Sequence, residues 1–131
     1  SFRSEHLLAL MDRSLPEGEQ ETAIVDLYFP PVEWVVSGGG RLRLDSVELS
    51  YPKWKEPVRL EHIKMVIYSE DNWRNYVKLK LNREGRARHG ILPLKVPDHV
   101  LFGNTQAVAR EISRYRIRRI EAIRYVAEKR A

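Results

Sequence analysis

The sequence predicts a mainly β domain with helices (α+β): a small barrel of about seven short strands, an N-terminal helix and a long C-terminal helix. Three observations predict it. Apolar residues recur with a helical period at both ends of the 131-residue chain and with a period of two between them. In the middle, the parity of the apolar positions flips twice, as it does where a sheet bends sharply. With 43% apolar and 31% charged residues, the chain has the composition of one globular domain with its own core. A single domain is therefore expected over 1–131. It divides into a helix at 1–16, a barrel or bent sheets at 22–97, and a basic helix at 104–131.

Ser4 is placed to cap a short helix whose Leu7, Leu8, Met11 and Leu15 share one face, closed by Pro16-Glu17-Gly18. Ala23, Val25, Leu27 and Phe29 then alternate as a strand ending at Pro30-Pro31. Trp34-Val35-Val36 and Arg41-Leu42-Arg43-Leu44 flank Ser37-Gly38-Gly39-Gly40, a hairpin turn that needs positive φ. Leu42 and Leu44 are even-numbered but Val47, Leu49 and Tyr51 odd, so Asp45-Ser46 is a turn or bulge. Val58 and Leu60 give way to Ile63, Met65 and Ile67, so Glu61-His62 is a second corner. Asp71-Asn72 turns the chain into Val77, Leu79 and Leu81, with Tyr76, Lys78 and Lys80 on the opposite face. Asn82-Arg83-Glu84-Gly85 reads as a turn, and Leu92, Leu94 and Val96 as the last strand.

From Asn104 or Thr105 the helical period returns. Val108, Ala109, Ile112 and Tyr115 share one face; Ile117, Ile120, Ile123 and Ala127 share another, rotated by roughly 80–90°. One straight helix would place Arg116 and Arg119 inside the combined stripe, where two guanidinium groups are costly unless paired. The helix therefore either breaks near 113–118 or packs its halves against different neighbours. In the second case residues 117–127 meet Leu7, Leu8 and Met11 of the first helix, or a second copy of the chain.

The order of elements resembles the pleckstrin-homology-like superfold of small bacterial domains. The resemblance is carried by the paired corners RLRLDSVELSY (41–51) and VRLEHIKMVIY (58–68), by YVKLKLNREG (76–85) and by the helix from Asn104. It covers roughly 22–115. It implies two near-orthogonal sheets with the helix plugging one end. Where such domains hold phosphoinositides, basic residues near the first hairpins grip the phosphates, which here implies Arg41 and Arg43. The superfold also hosts peptide-binding and purely structural roles, so it does not choose a function.

Catalysis is poorly supplied. The chain has no cysteine, hence no disulfide, thiolate metal site or cysteine nucleophile. His6, His62, His89 and His99 lack metal-ligand spacing, and no G-x-S-x-G elbow occurs. Asp98-His99 reads as a solvated turn, and the glycine run feeds a strand, not the helix N-terminus that a phosphate loop requires. The reading is no enzyme, no cofactor and no metal.

Binding has better material. Net charge is +5, unevenly placed: residues 1–37 carry 2 basic and 7 acidic groups, whereas 104–131 carry 8 basic and 3 acidic. Arg41, Arg43, Lys53 and Lys55, with Tyr51 and Trp54 between them, form one anion-binding candidate; Arg41 and Arg43, alternating on an outward strand face, read more simply as ordinary solvated residues. Arg110, Arg114 and Arg118 form a ridge at i, i+4 and i+8 that suits phosphates in a nucleic acid or an anionic membrane surface. The isoleucines Ile117, Ile120 and Ile123 favour a protein contact instead. The function expected is thus a non-catalytic binding or assembly module engaging a protein partner or a second copy. Nucleic-acid binding through the basic helix is the alternative, and peripheral binding to anionic lipid the third reading. No apolar run approaches the roughly 20 residues of a transmembrane helix, and no secretory pattern opens the chain. A cytoplasmic location is expected, and a start on Ser1 reads as a domain excised from a longer chain.

Overall fold

The glycine run and the two parity flips mark three places where the chain reverses or bends. The computed structural model describes residues 16, 18–71 and 74–130, so the expected helix at 1–16, with Leu7, Leu8 and Met11, lies outside the described residues. Among them are three α-helices, α1 (Glu19–Tyr28), α2 (Arg83–His89) and α3 (Thr105–Arg130). Seven strands complete the fold: β1 (Val32–Val35), β2 (Arg41–Leu44), β3 (Glu48–Ser50), β4 (Val58–Arg59), β5 (Ile63–Asp71), β6 (Arg74–Leu81) and β7 (Leu94–Pro97). They form two antiparallel sheets, ordered β1-β2-β3-β4 and β5-β6-β7. The class is α+β; the sheets stay separate ladders and do not close into a barrel.

Each bend has a local cause. Gly38 and Gly39 take φ of 90° and 85°, a region that side chains disfavour, so the β1–β2 reversal requires them. At the first corner the Asp45 carboxylate accepts the backbone N–H of Val47 at 2.8 Å and of Glu48 at 2.9 Å, ending β2 and starting β3. At the second, Leu60–His62 forms one 3-10 turn between β4 and β5, carrying the chain from the first sheet to the second.

Three expectations are corrected. Residues 22–29 are not a strand but most of α1. Nearly every position from 23 to 29 is apolar, so a period of two fits half of them by default. What decides is that Gln20, Glu21, Ile24 and Val25, at i, i+1, i+4 and i+5, are the buried face. Asn82 does not open a simple turn: its side chain accepts the Gly85 N–H at 2.9 Å and caps α2. The last strand starts at Leu94, and Leu92 is exposed.

α3 is continuous across 113–118, so the expected break is absent. Its buried residues Val108, Ala109, Ile112, Tyr115, Arg119, Ala122 and Val126 make one stripe, in which Arg119 occupies a place that sequence patterning reserves for an apolar side chain. The two halves still meet different neighbours. α3 covers β5, β6 and the 3-10 turn at 60–62, and it seats α1. The core is one cluster, with Leu42, Leu44, Leu49, Leu60, Ile63, Leu79, Leu101 and Ile112 almost fully enclosed.

Candidate functional site

Alternation along β2 buries Leu42 and Leu44 and turns Arg41 and Arg43 outward. The antiparallel register brings Glu33 opposite Arg43, and its carboxylate lies 3.7 Å from Nε of both arginines. Arg43 also donates to Asp45 at 2.5 Å. Both arginines thus face carboxylates. Lys53 and Lys55 stand exposed on the loop that follows β3, where Tyr51 and Trp54 pack edge to face at 5.3 Å.

The α3 ridge is similarly engaged. Arg114 donates to Glu111 at 2.7 Å and Arg118 to Glu121 at 3.0 Å, both one turn away. Their guanidinium carbons sit 5.4 and 5.9 Å from the ring centre of Phe29, which packs edge-on against Tyr115. The Tyr115 hydroxyl donates to the Pro30 carbonyl, and burial raises its pKa. Of the three ridge arginines, Arg110 alone has no partner among the described residues.

The two arginines that patterning marks as awkward are the ones that hold α3 to the second corner. Successive carbonyls of a regular strand point to opposite edges. The register shift between Ile63 and Met65, on the edge strand β5, presents two in succession to Arg116. Arg116 donates through Nε to Ile63 O at 2.5 Å and through Nη2 to Lys64 O at 2.9 Å, and burial lowers its pKa. Arg119, only 2% exposed, donates to Thr22 Oγ1 of α1 at 2.9 Å, with its Nε 3.7 Å from Glu61. Arg59 holds the other Glu61 oxygen at 2.6 Å.

Beside this clamp runs an open groove of about 390 Å³ between α3 and the 60–64 corner. Ile63, Ile120 and Ile123 form its apolar wall; Lys64, Arg116 and Arg124 supply cations, with Glu61 and Asn82 completing the lining. Ile117 lies outside that lining and is 43% exposed. The structure therefore brings together Ile120 and Ile123 from the sequence candidates and separates them from Arg41, Arg43, Lys53 and Lys55. Lys64, Glu61 and Asn82 were not candidates. Their signal was faint: they come from the corner and from the cap of α2, which meet only in the folded chain.

One further surface had a visible signal. The outward face of β5-β6-β7 carries Tyr76, Lys78 and Lys80 on the central strand and Lys95 opposite Lys78. Among the described residues, no group of three or more His, Asp or Glu side chains is gathered as a metal site. None of the described helices is long and apolar enough to cross a membrane. Compared with known proteins, the chain matches no family model, no curated protein and no solved structure.

Proposed function

We propose that this chain is a non-catalytic assembly module of pleckstrin-homology-like organisation that binds a second copy of itself through the groove beside α3. The observation that carries this reading is the groove: an isoleucine wall rimmed by Lys64 and Arg124, open to solvent. An apolar cleft with a cationic rim suits apolar side chains flanked by carboxylates. The chain's own surface offers that chemistry in Asp26 and Leu27, both exposed on α1. Within one molecule α1 packs along α3, so the groove receives α1 of the other copy. A reciprocal exchange closes as a twofold dimer. The arrangement of four and three antiparallel strands with a closing helix supports the organisation.

Light scattering over a concentration series tests it. The expected mass rises toward twice the 15.4 kDa of the chain. Arg124→Glu, on an exposed side chain, and Ile120→Ser with Ile123→Ser should return it to the monomer. Arg124→Glu should do so with an unchanged circular-dichroism spectrum and a melting temperature that no longer depends on concentration, which separates lost assembly from lost folding. A monomer at every concentration, or a dimer indifferent to these changes, overturns the reading.

A further inference from the structure

Period-two alternation along β6 puts Val77, Leu79 and Leu81 in the core and leaves Tyr76, Lys78 and Lys80 on the opposite face. The register adds Lys95 across from Lys78, and Met65 and Ile67 across from Lys80 and Lys78. Residues 65–69, 76–80 and 95–97 include three lysines; the nearest carboxylates in the register are Glu70 and Asp71 at the hairpin end, where Asp71 stands opposite Arg74. Neither Lys78 nor Lys80 is ion-paired with a described residue. This sets the face apart from the Arg41–Arg43 strand and the Arg114–Arg118 ridge, whose cations face acids. In its end row, opposite Ser69 and Pro97, Tyr76 is half-buried and held in orientation. Its hydroxyl accepts from Ser69 at 3.2 Å, and the Lys95 ammonium sits 4.7 Å from the ring centre.

We propose that this face binds single-stranded nucleic acid, with Tyr76 as the stacking platform and Lys78, Lys80 and Lys95 as phosphate contacts. Cations and an aromatic ring interleaved on an open sheet are the chemistry that single strands use, because every base has a π-face and every linkage a charge. A base stacked on Tyr76 displaces the flexible Lys95 ammonium from the ring toward the neighbouring phosphate. Duplex DNA fits less well. The outer strands of a three-stranded face stand about 10 Å apart before side chains are added, which overfills a major groove about 12 Å wide. An anionic lipid surface matches the lysines but makes no use of an oriented ring.

Fluorescence anisotropy with a labelled oligothymidylate of about 16 nucleotides tests this over salt from about 50 to 200 mM. The combined Lys78→Ala, Lys80→Ala and Lys95→Ala variant should weaken binding by at least about tenfold and lower the salt slope by about two. Tyr76→Leu should weaken it by about tenfold at unchanged slope, and Tyr76→Phe should bind as the parent does. Arg114→Ala with Arg118→Ala should leave affinity unchanged. Melting temperatures of all variants control for folding. Three results overturn the proposal: no binding at the lowest salt, loss only with the α3 arginines, or binding only to phosphatidylserine vesicles.

Discussion

At the residue scale, Glu61 and Arg119 form the most consequential pair. Burial raises the pKa of the Glu61 carboxyl. The hydrogen bonds from its own backbone and from Arg59, with the charges of Arg59 and Arg119, more than offset this and hold it below the ordinary 4.5. A carboxylate depressed in the folded state contributes stability above its unfolded pKa and loses it as pH falls toward the folded one. Stability should therefore decline below pH 4.5, and Glu61→Gln should flatten that decline in urea titrations. Arg119→Ala should cost about 1–3 kcal/mol: Glu61 keeps Arg59 and Thr22 keeps the Gly18 carbonyl, but one Glu61 oxygen loses its counter-charge and the Thr22 hydroxyl loses its donor. Arg119→Met, which keeps much of the packing volume, should cost less. None of this pairing was visible in the sequence beyond the warning that a guanidinium stood in an apolar stripe. Its partners lie 97 residues away in α1 and at the second corner itself.

At the scale of elements, what was legible was what local chemistry decides. Three glycines with positive φ make the β1–β2 hairpin in any context, and the parity flips at 45–46 and 61–62 mark bends because a flat strand would expose one apolar set. What was not legible was decided by tertiary contact. Residues 22–29 satisfy either period, and only packing on α3 selects the helix. The groove was half legible, through Ile120 and Ile123, because its other wall comes from the corner. The α1–α3 seam explains the selection physically: Ala122 is fully buried on α3, Val126 nearly so, and Ile24 and Val25 are fully buried on α1. A small residue at that crossing lets the helices approach closely. Ala122→Leu should overpack the seam and cost about 1–3 kcal/mol in chemical denaturation. A neutral result would mean that α1 rests on α3 loosely, and the argument for why 22–29 is helical would fall with it.

At the scale of the molecule, α3 is the member that joins the parts. Twenty-six residues at about 1.5 Å each reach about 39 Å, enough to cross the sheets and extend along α1. Its first half contributes Val108, Ile112 and Tyr115 to the core; its second half, in which Ala122 and Val126 are buried, packs with α1, to which Arg119 donates at Thr22. Between them, Arg116 and Arg119 tie the helix to the β5 edge and to Glu61. A hinge at 113–118 would have to break two carbonyl hydrogen bonds and separate a buried charge from its counter-charge. The second half should therefore not open alone. Native-state hydrogen exchange in low denaturant should give amides from 108 to 126 the same opening free energy as those of β6, with faster exchange only in the final turn. If 117–126 exchange through a separate, much cheaper opening, α1 and the end of α3 form their own unfolding unit. The two guanidinium clamps would then fail to transmit stability along the helix, and the groove beside them would be a surface that opens and closes rather than a fixed one.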